Sequence, residues 1–489
     1  MQNKASQKQT FFFTLINYLG IVIGIVSTLF IYPKNKEILG IIRYVEALSQ
    51  VLFPLLLLGA SQALIKFNPN LSTILKKKIF NYGLVSIAIL SLFALVFITI
   101  VSFIPAFKGI KYVYFAFPIG VFLAYVELFK KQATIIQKIA VPTFFDNIIP
   151  KIALPILFLL LLTNFISINQ SLVLYVLSYG LIFILVGYYL HKNYPTTLNF
   201  NFNELFKNVS KSEYYRFSLF AFAGSLGSVF AFRIDALMIP KFISMEAGGT
   251  FSIGVTLASA IAIPATGLFT LYAPIISNLI KNNSWKELNM KYKEISRLLF
   301  FIGVLLYGSI FLGIENLFLL LPTHQNLVDS IPIILILGLN VLINMGTGFN
   351  GEIITYSKYY RFNLIAIGLL IVLNISLNLL FINYYNFGIK SVAIASLISM
   401  VFFNAAKLIF IYKKFTLLPF DLNYLKLVLI SVTLLFLIYI LPTTIYCWIN
   451  LIYKCTLYLT LNLIVIYKLK LVYQYNISLN SVLKRVFKN

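Results

Sequence analysis

Acidic residues are scarce in this chain, with 14 Asp and Glu against 39 Lys and Arg over 489 positions. So thin a supply gives little support to the paired carboxylates that general acid–base catalysis needs. Cysteine and histidine are scarcer still, two of each. Cys447 and Cys455 are eight residues apart, about 12 Å along a helix and beyond disulfide reach. His191 and His324 are far away in sequence, so neither a disulfide framework nor a zinc site has support. Extended polar segments are missing as well. The longest runs from His191 to Glu213, too short for a soluble catalytic domain.

What fills the chain instead is apolar sequence. Hydrophobic residues make up 60% and charged residues 11%, far from the globular norm of roughly a quarter charged. A helix needs about 20 mostly apolar residues to cross the hydrocarbon core, and runs of this kind recur along the chain. They span residues 11–32, 42–66, 79–104, 113–137, 141–163, 170–190, 216–242, 249–280, 297–320, 330–355, 362–384, 390–412, 424–446 and 447–468. Only Pro442, Thr443 and Thr444 separate the last two, which alternatively form a re-entrant hairpin. The first follows a short basic leader but is too long for a signal h-region and lacks a small-residue cleavage site, so it reads as a retained helix. The expected fold is an all-α integral membrane protein with about 14 transmembrane helices.

Lys and Arg fall mainly on one side of these spans. Clusters such as Lys76–Lys78, Lys130 with Lys131 and Lys138, and Lys286 to Arg297 join Lys4, Lys8 and the basic C-terminal tail on that side. Opposite stand Lys34, Lys36, Lys108, Lys111, Lys241 and Lys390. The bias puts both termini in the cytoplasm of a plasma membrane. It also accounts for most of the net charge of +25 through topology and anionic headgroups, without a nucleic-acid partner.

The polar stretch at 193–213 divides the chain into an N-terminal lobe (1–192) and a C-terminal lobe (214–413), with helices 13 and 14 and a tail at 414–489. A faint repeat supports a duplication. Ile31-Tyr32-Pro33-Lys34 is followed by Gly40 and Pro54, and Met238-Ile239-Pro240-Lys241 by Gly249 and Pro264. Transporters often consist of such repeats. Small residues, among them Gly20 with Gly24, mark places where helices can approach closely.

Charge inside a bilayer is expensive and marks function or a specific partner. Arg43, Lys151, Arg233, Lys407 and Lys454 fall within spans, together with Glu46, Glu127, Asp146 and Asp235. Lys151 lies near midplane depth and either lines a wet cavity or pairs with Glu127 or Asp146. Arg233 and Asp235 point to different helix faces, so each needs a partner elsewhere or a hydrated surface. Arg43 and Glu46 have the spacing of a same-face ion pair. Lys407 and Lys454 either snorkel to a surface or touch substrate. Asn340 with Asn344 and Asn374 with Asn378 each share a helix face, where amides bind either sugar hydroxyls or a neighbouring helix.

Gly40-Ile41-Ile42-Arg43, Leu58-Gly59-Ala60-Ser61-Gln62 with Ile65, Lys66, Phe67 and Pro69, and Arg233 to Met238 with Pro264 give the chain a family likeness. It resembles bacterial oligosaccharide flippases, the O-antigen flippase (polysaccharide biosynthesis) branch of the multidrug/oligosaccharidyl-lipid/polysaccharide exporter superfamily. The resemblance implies two pseudo-symmetric six-helix lobes around a central cavity, plus two C-terminal helices. It implies movement of an undecaprenyl-diphosphate-linked oligosaccharide to the outer leaflet of a bacterial plasma membrane by alternating access, alongside other polysaccharide-assembly proteins. No cofactor is expected. Coupling to H+ or Na+ is an option, with Asp235, Asp146 and Glu127 as candidate carriers. On this reading Lys151, Arg233, Arg43 and Lys407 are the candidates for diphosphate and Asn340, Asn344, Asn374 and Asn378 for sugar. Lipid II flipping, multidrug antiport and a membrane glycosyltransferase or polymerase are the competing readings. Antiport of organic cations calls for an acidic cavity, and an enzyme for a larger outer loop.

Overall fold

The computed structural model describes residues 19–104, 111–196, 200–384 and 388–486. Lys4, Lys8 and Lys108, the start of the first expected span at 11–18 and the turn at Asn386 lie outside them. The described residues are helical, with no strand, as backbone groups in hydrocarbon require. The chain forms two compact units that divide after Gly249. The polar stretch at 193–213 lies within the first of them.

The first unit starts with α1 (Leu19–Phe30), a short apolar helix, and α2 (Lys36–Leu57), whose N-cap is the Asn35 side chain. Leu58 and Gly59 take left-handed conformations (φ 43° and 76°) and split the second expected span. A short α3 (Ala60–Phe67) follows. Glycine is required at 59 twice over, by its φ and because a Cβ would come within 2.1 Å of the Ser218 carbonyl oxygen. Then come α4 (Thr73–Ser102), α5 (Lys111–Ile135), α6 (Ala140–Leu162) and α7 (Ile168–Asn193), the last opened by a Ser167/Gln170 capping box. α8 (Asn203–Asn208) and α9 (Lys211–Phe242) complete the unit.

α2 packs on α5 and α9, and α7 on α5 and α6. The two parts of the sequence repeat meet within this unit. A Cβ on Gly40 would lie 1.7 Å from the Met245 carbonyl oxygen, and one on Gly249 would lie 1.9 Å from that of Lys36. Each glycine faces the carbonyl four residues before the other, the reciprocal pattern of a local two-fold contact.

The second unit holds α10 (Met245–Ser259, whose first residues belong to the first unit), α11 (Ile263–Lys281), α12 (Trp285–Leu319), α13 (His324–Leu327), α14 (Ile331–Gly346), α15 (Asn350–Tyr356), α16 (Phe362–Tyr384), α17 (Ile389–Phe415), α18 (Leu422–Tyr439), α19 (Cys447–Lys468) and α20 (Tyr473–Val486). α12 packs on α14 and α19, α14 on α17, and α16 on α17.

Twelve helices among the described residues are long and apolar enough to span a bilayer. The bent α9 makes thirteen, and α1 follows the first expected span, so the fourteen runs each find a helix. The chain is a multi-pass membrane protein. α18 and α19 are separate helices, joined by a turn in which Asn450 bonds to the backbone and side chain of Thr444. Exposed Phe103, Phe165, Tyr384, Tyr446 and Trp448 lie at helix ends, where aromatic side chains meet headgroups.

Candidate functional site

In the first unit Arg43, Glu46, Glu127 and Asp146 are paired. Arg43 Nη1 donates to Glu46 Oε2 at 2.6 Å, as the spacing predicts. Tyr175 on α7 donates its hydroxyl to the other oxygen of Glu46, and Arg43 lies over the Tyr32 ring at 5.9 Å. The guanidinium is thereby neutralised within the helix packing. Lys130 of α5 reaches Asp146 of α6 at 2.6 Å and Glu127 at 3.6 Å, while Lys131 reaches Glu127 at 3.0 Å. Both carboxylates are therefore held by lysines.

Lys151 is different. It is half-buried on α6, and among the described residues it makes no hydrogen bond or ion pair. Its chain lies against α1 at Gly20, where an added Cβ would come within 2.7 Å of Nζ. The close approach expected at Gly20 is thus to this lysine. Lys130 takes the acid that Lys151 might have used. Arg233 is exposed, just past a 52° bend between Ala231 and Arg233 in α9. Asp235 is partly buried on the same segment and engaged by neighbours.

The first unit also contains a cavity of about 420 Å³, lined by Lys66, Asn70, Ser72, Asn208, Ser210 and Glu213 among others. None of the expected site residues borders it. It lies where the linker docks. Lys78 holds Glu204 of α8 at 2.5 Å, Lys66 holds Glu213 at 3.1 Å, and the Tyr82 ring meets Phe202, Phe206 and Tyr214. The Lys78 hydrogen bond keeps the Glu204 carboxyl below its usual range.

In the second unit the two asparagine pairs differ. Asn374 donates to Ser396 of α17 at 3.1 Å, Asn378 donates to Asn374 at 2.6 Å, and both are buried. They join α16 to α17. Asn344 is exposed and accepts from Asn404 at 3.4 Å, and the buried Asn340 Oδ1 has no hydrogen-bond partner among the described residues. Of the two, the exposed Asn344 is the one open to another molecule.

Asn404, Asn350, Thr347 and Glu352, which the sequence does not single out, complete this region around Lys407. Asn404 Oδ1 accepts from Asn350 at 2.8 Å and from Thr347 at 3.1 Å. Lys407, one turn on from Asn404, lies over the Phe403 ring at 3.9 Å and is buried at 8% exposure. Glu352 is the acid whose charge Lys407 feels. The available signal was the spacing Asn404/Lys407 and the Asn350-Gly351-Glu352 triplet after a glycine-rich break. Lys454 is buried too, donating to the Tyr439 carbonyl at the end of α18. Lys407 thus rests on an aromatic ring and Lys454 on a helix end. No group of three or more potential metal ligands occurs among the described residues.

No protein-family model matches the sequence, and no curated protein matches it either. Solved structures do match. A lipid II flippase, MurJ in an inward closed conformation, superposes with a TM-score of 0.70 at 14% identity, over 94% of this chain and 99% of that one. A multidrug resistance MATE family transporter of the MOP superfamily gives 0.62 in its inward-facing form at 14% identity, over 82% of this chain and 94% of that one. An outward-facing form gives 0.52 at 14% identity, over 84% and 96%. At this identity the likeness establishes architecture: the chain has the all-helical fold of MOP-superfamily transporters.

Proposed function

We propose that this protein is a flippase that carries a polyprenyl-diphosphate-linked oligosaccharide from the cytoplasmic to the outer leaflet of the plasma membrane by alternating access. The observation that carries the reading is Lys151, a cation within a span that makes no ion pair among the described residues, the nearby Asp146 being held by Lys130, in a fold shared with a lipid II flippase over 94% of the chain. An unpaired intramembrane ammonium favours an anionic ligand. Within the first unit, Lys151 and the exposed Arg233 are the groups suited to the diphosphate. Arg43 is already neutralised by Glu46, whose other oxygen accepts from Tyr175 and so links α2 to α7. Meanwhile the isoprenoid tail stays in hydrocarbon. A negative interior assists outward movement of the anion by roughly 2.3 kcal/mol per charge per 100 mV if the whole field is crossed.

Lipid II transport is the nearest alternative, favoured by the higher TM-score of MurJ than of the MATE structures. Reconstituted vesicles decide between the readings. Lipid-linked glycans of several kinds, lipid II among them, are offered inside, and arrival outside is scored by an enzyme or lectin confined to the medium. Translocation that falls sharply in Lys151→Ala and Arg233→Ala supports the site. Wild-type rates in both variants, at normal insertion, remove it.

A further inference from the structure

Lys407 on α17 and Glu352 on α15 feel each other's charge where these two helices pack, in a region of the second unit that the proposed path does not use. The helices α14 and α16, which also pack on α17, bring no charged side chain to it. Lys407 and Glu352 are therefore each other's natural partner, yet among the described residues neither makes an ion pair within 4 Å. Lys407 is buried and Glu352 half-buried, and opposite charges held partly out of water yet apart are a costly arrangement unless another relieves it.

We infer that α15 is a two-position latch: Lys407 and Glu352, apart in this structure, close into an ion pair when α15 turns about the Thr347–Gly348 joint.

The joint is built to persist. Gly348 has φ 64°, and a Cβ there would come within 2.0 Å of Ser296 Oγ. The break frees the carbonyls of Gly346 and Thr347, and each accepts from a tyrosine hydroxyl of a neighbouring helix, Tyr424 and Tyr292 respectively, at 3.0 Å. The discontinuity therefore leaves neither acceptor unsatisfied. Asn404 holds the first residue of α15 through Asn350, which keeps one end of the short helix in place. On the facing side Gly351 leaves room: a Cβ there would meet only Lys407 Nζ, at 3.6 Å. The ring of Phe403 holds the ammonium until the carboxylate arrives.

The test follows hydrogen exchange of the α15 amides in the full chain in lipid nanodiscs, which needs no transported substrate and so stands apart from the flippase reading. Lys407→Met and Glu352→Gln each remove the closed position. Exchange at residues 350–356 is expected to rise roughly tenfold, within the range by which linked contacts bias two-state elements, with α12 and α19 unchanged. Lys407→Arg keeps wild-type exchange, and the reversed pair Lys407→Glu with Glu352→Lys restores it. If Lys407→Met does not fold, Glu352→Gln and the reversed pair carry the result. Wild-type exchange in the single variants, or no restoration by the reversed pair, overturns the latch.

Discussion

Gly40→Ala tests the packing on which the first unit depends. The new methyl would be placed 1.7 Å from the Met245 carbonyl oxygen and 3.0 Å from the Gly249 nitrogen. Carbon–oxygen contacts settle at about 3.3–3.6 Å, so the backbone at 245–249 must retreat by about 1.6–1.9 Å. A carbonyl in a helix cannot swing aside as a side chain does. Overpacking of this kind costs about 1–3 kcal/mol and sometimes more, offset by about 0.5–1 kcal/mol gained when alanine replaces glycine inside a helix. With so large a retreat the overpacking cost lies at the upper end of its range, and a net loss of about 2 kcal/mol is expected, read as a lower midpoint in denaturant or thermal unfolding of the purified protein. Gly368→Ala is the control, since nothing lies within 4 Å of its added carbon; it should be neutral or slightly stabilising. Gly249→Ala should match Gly40→Ala because the contact is reciprocal. The double variant should lose less than the sum, since one separation relieves both clashes. Equal midpoints for Gly40→Ala and Gly368→Ala would refute the close approach.

Three further expectations follow from the pairings. Glu46→Ala leaves the Arg43 guanidinium uncompensated in a largely buried position and should cost about 3 kcal/mol or more, while Arg43→Met with Glu46→Met recovers most of it in the same unfolding assay. Asn374→Ala removes the bond to Ser396 and should cost about 0.6–1.7 kcal/mol, the range for interhelical polar contacts in membranes; translocation per folded molecule stays at wild type, and a specific loss of transport would assign Asn374 to the substrate instead. The Glu204 carboxyl is held below its ordinary range by Lys78, so its contribution to docking α8 is complete above the unfolded value, about pH 4.3, and fades as pH falls through the lower folded value. Limited proteolysis near 203–208 should therefore accelerate in acid, and Lys78→Met should abolish that dependence.

The spans were readable because the bilayer sets their length regardless of what they pack against. Residues 79–104 read as a helix from composition alone, and α4 is one although only 11% of its core window is buried by other helices. Gly40 and Gly249, the two glycines of the faint repeat, lie against each other's helices. Pairing was harder, because ion pairs between helices leave no period in the chain. Arg43 with Glu46 is local and followed from spacing, whereas Lys130 with Asp146 joins two helices. Glu352 escaped notice because a linear span ending near residue 355 hides the break at Gly348, which gives the end of that span a helix of its own beside Lys407. The same limit governs the site. A list of intramembrane charges names candidates, but function follows from which remain after the pairs are formed. In the first unit that subtraction removes Arg43, Glu127 and Asp146 and leaves Lys151 and the exposed Arg233. Once Glu46, Glu127 and Asp146 have each taken a basic partner, these two cations are the intramembrane groups of the first unit still suited to an anion.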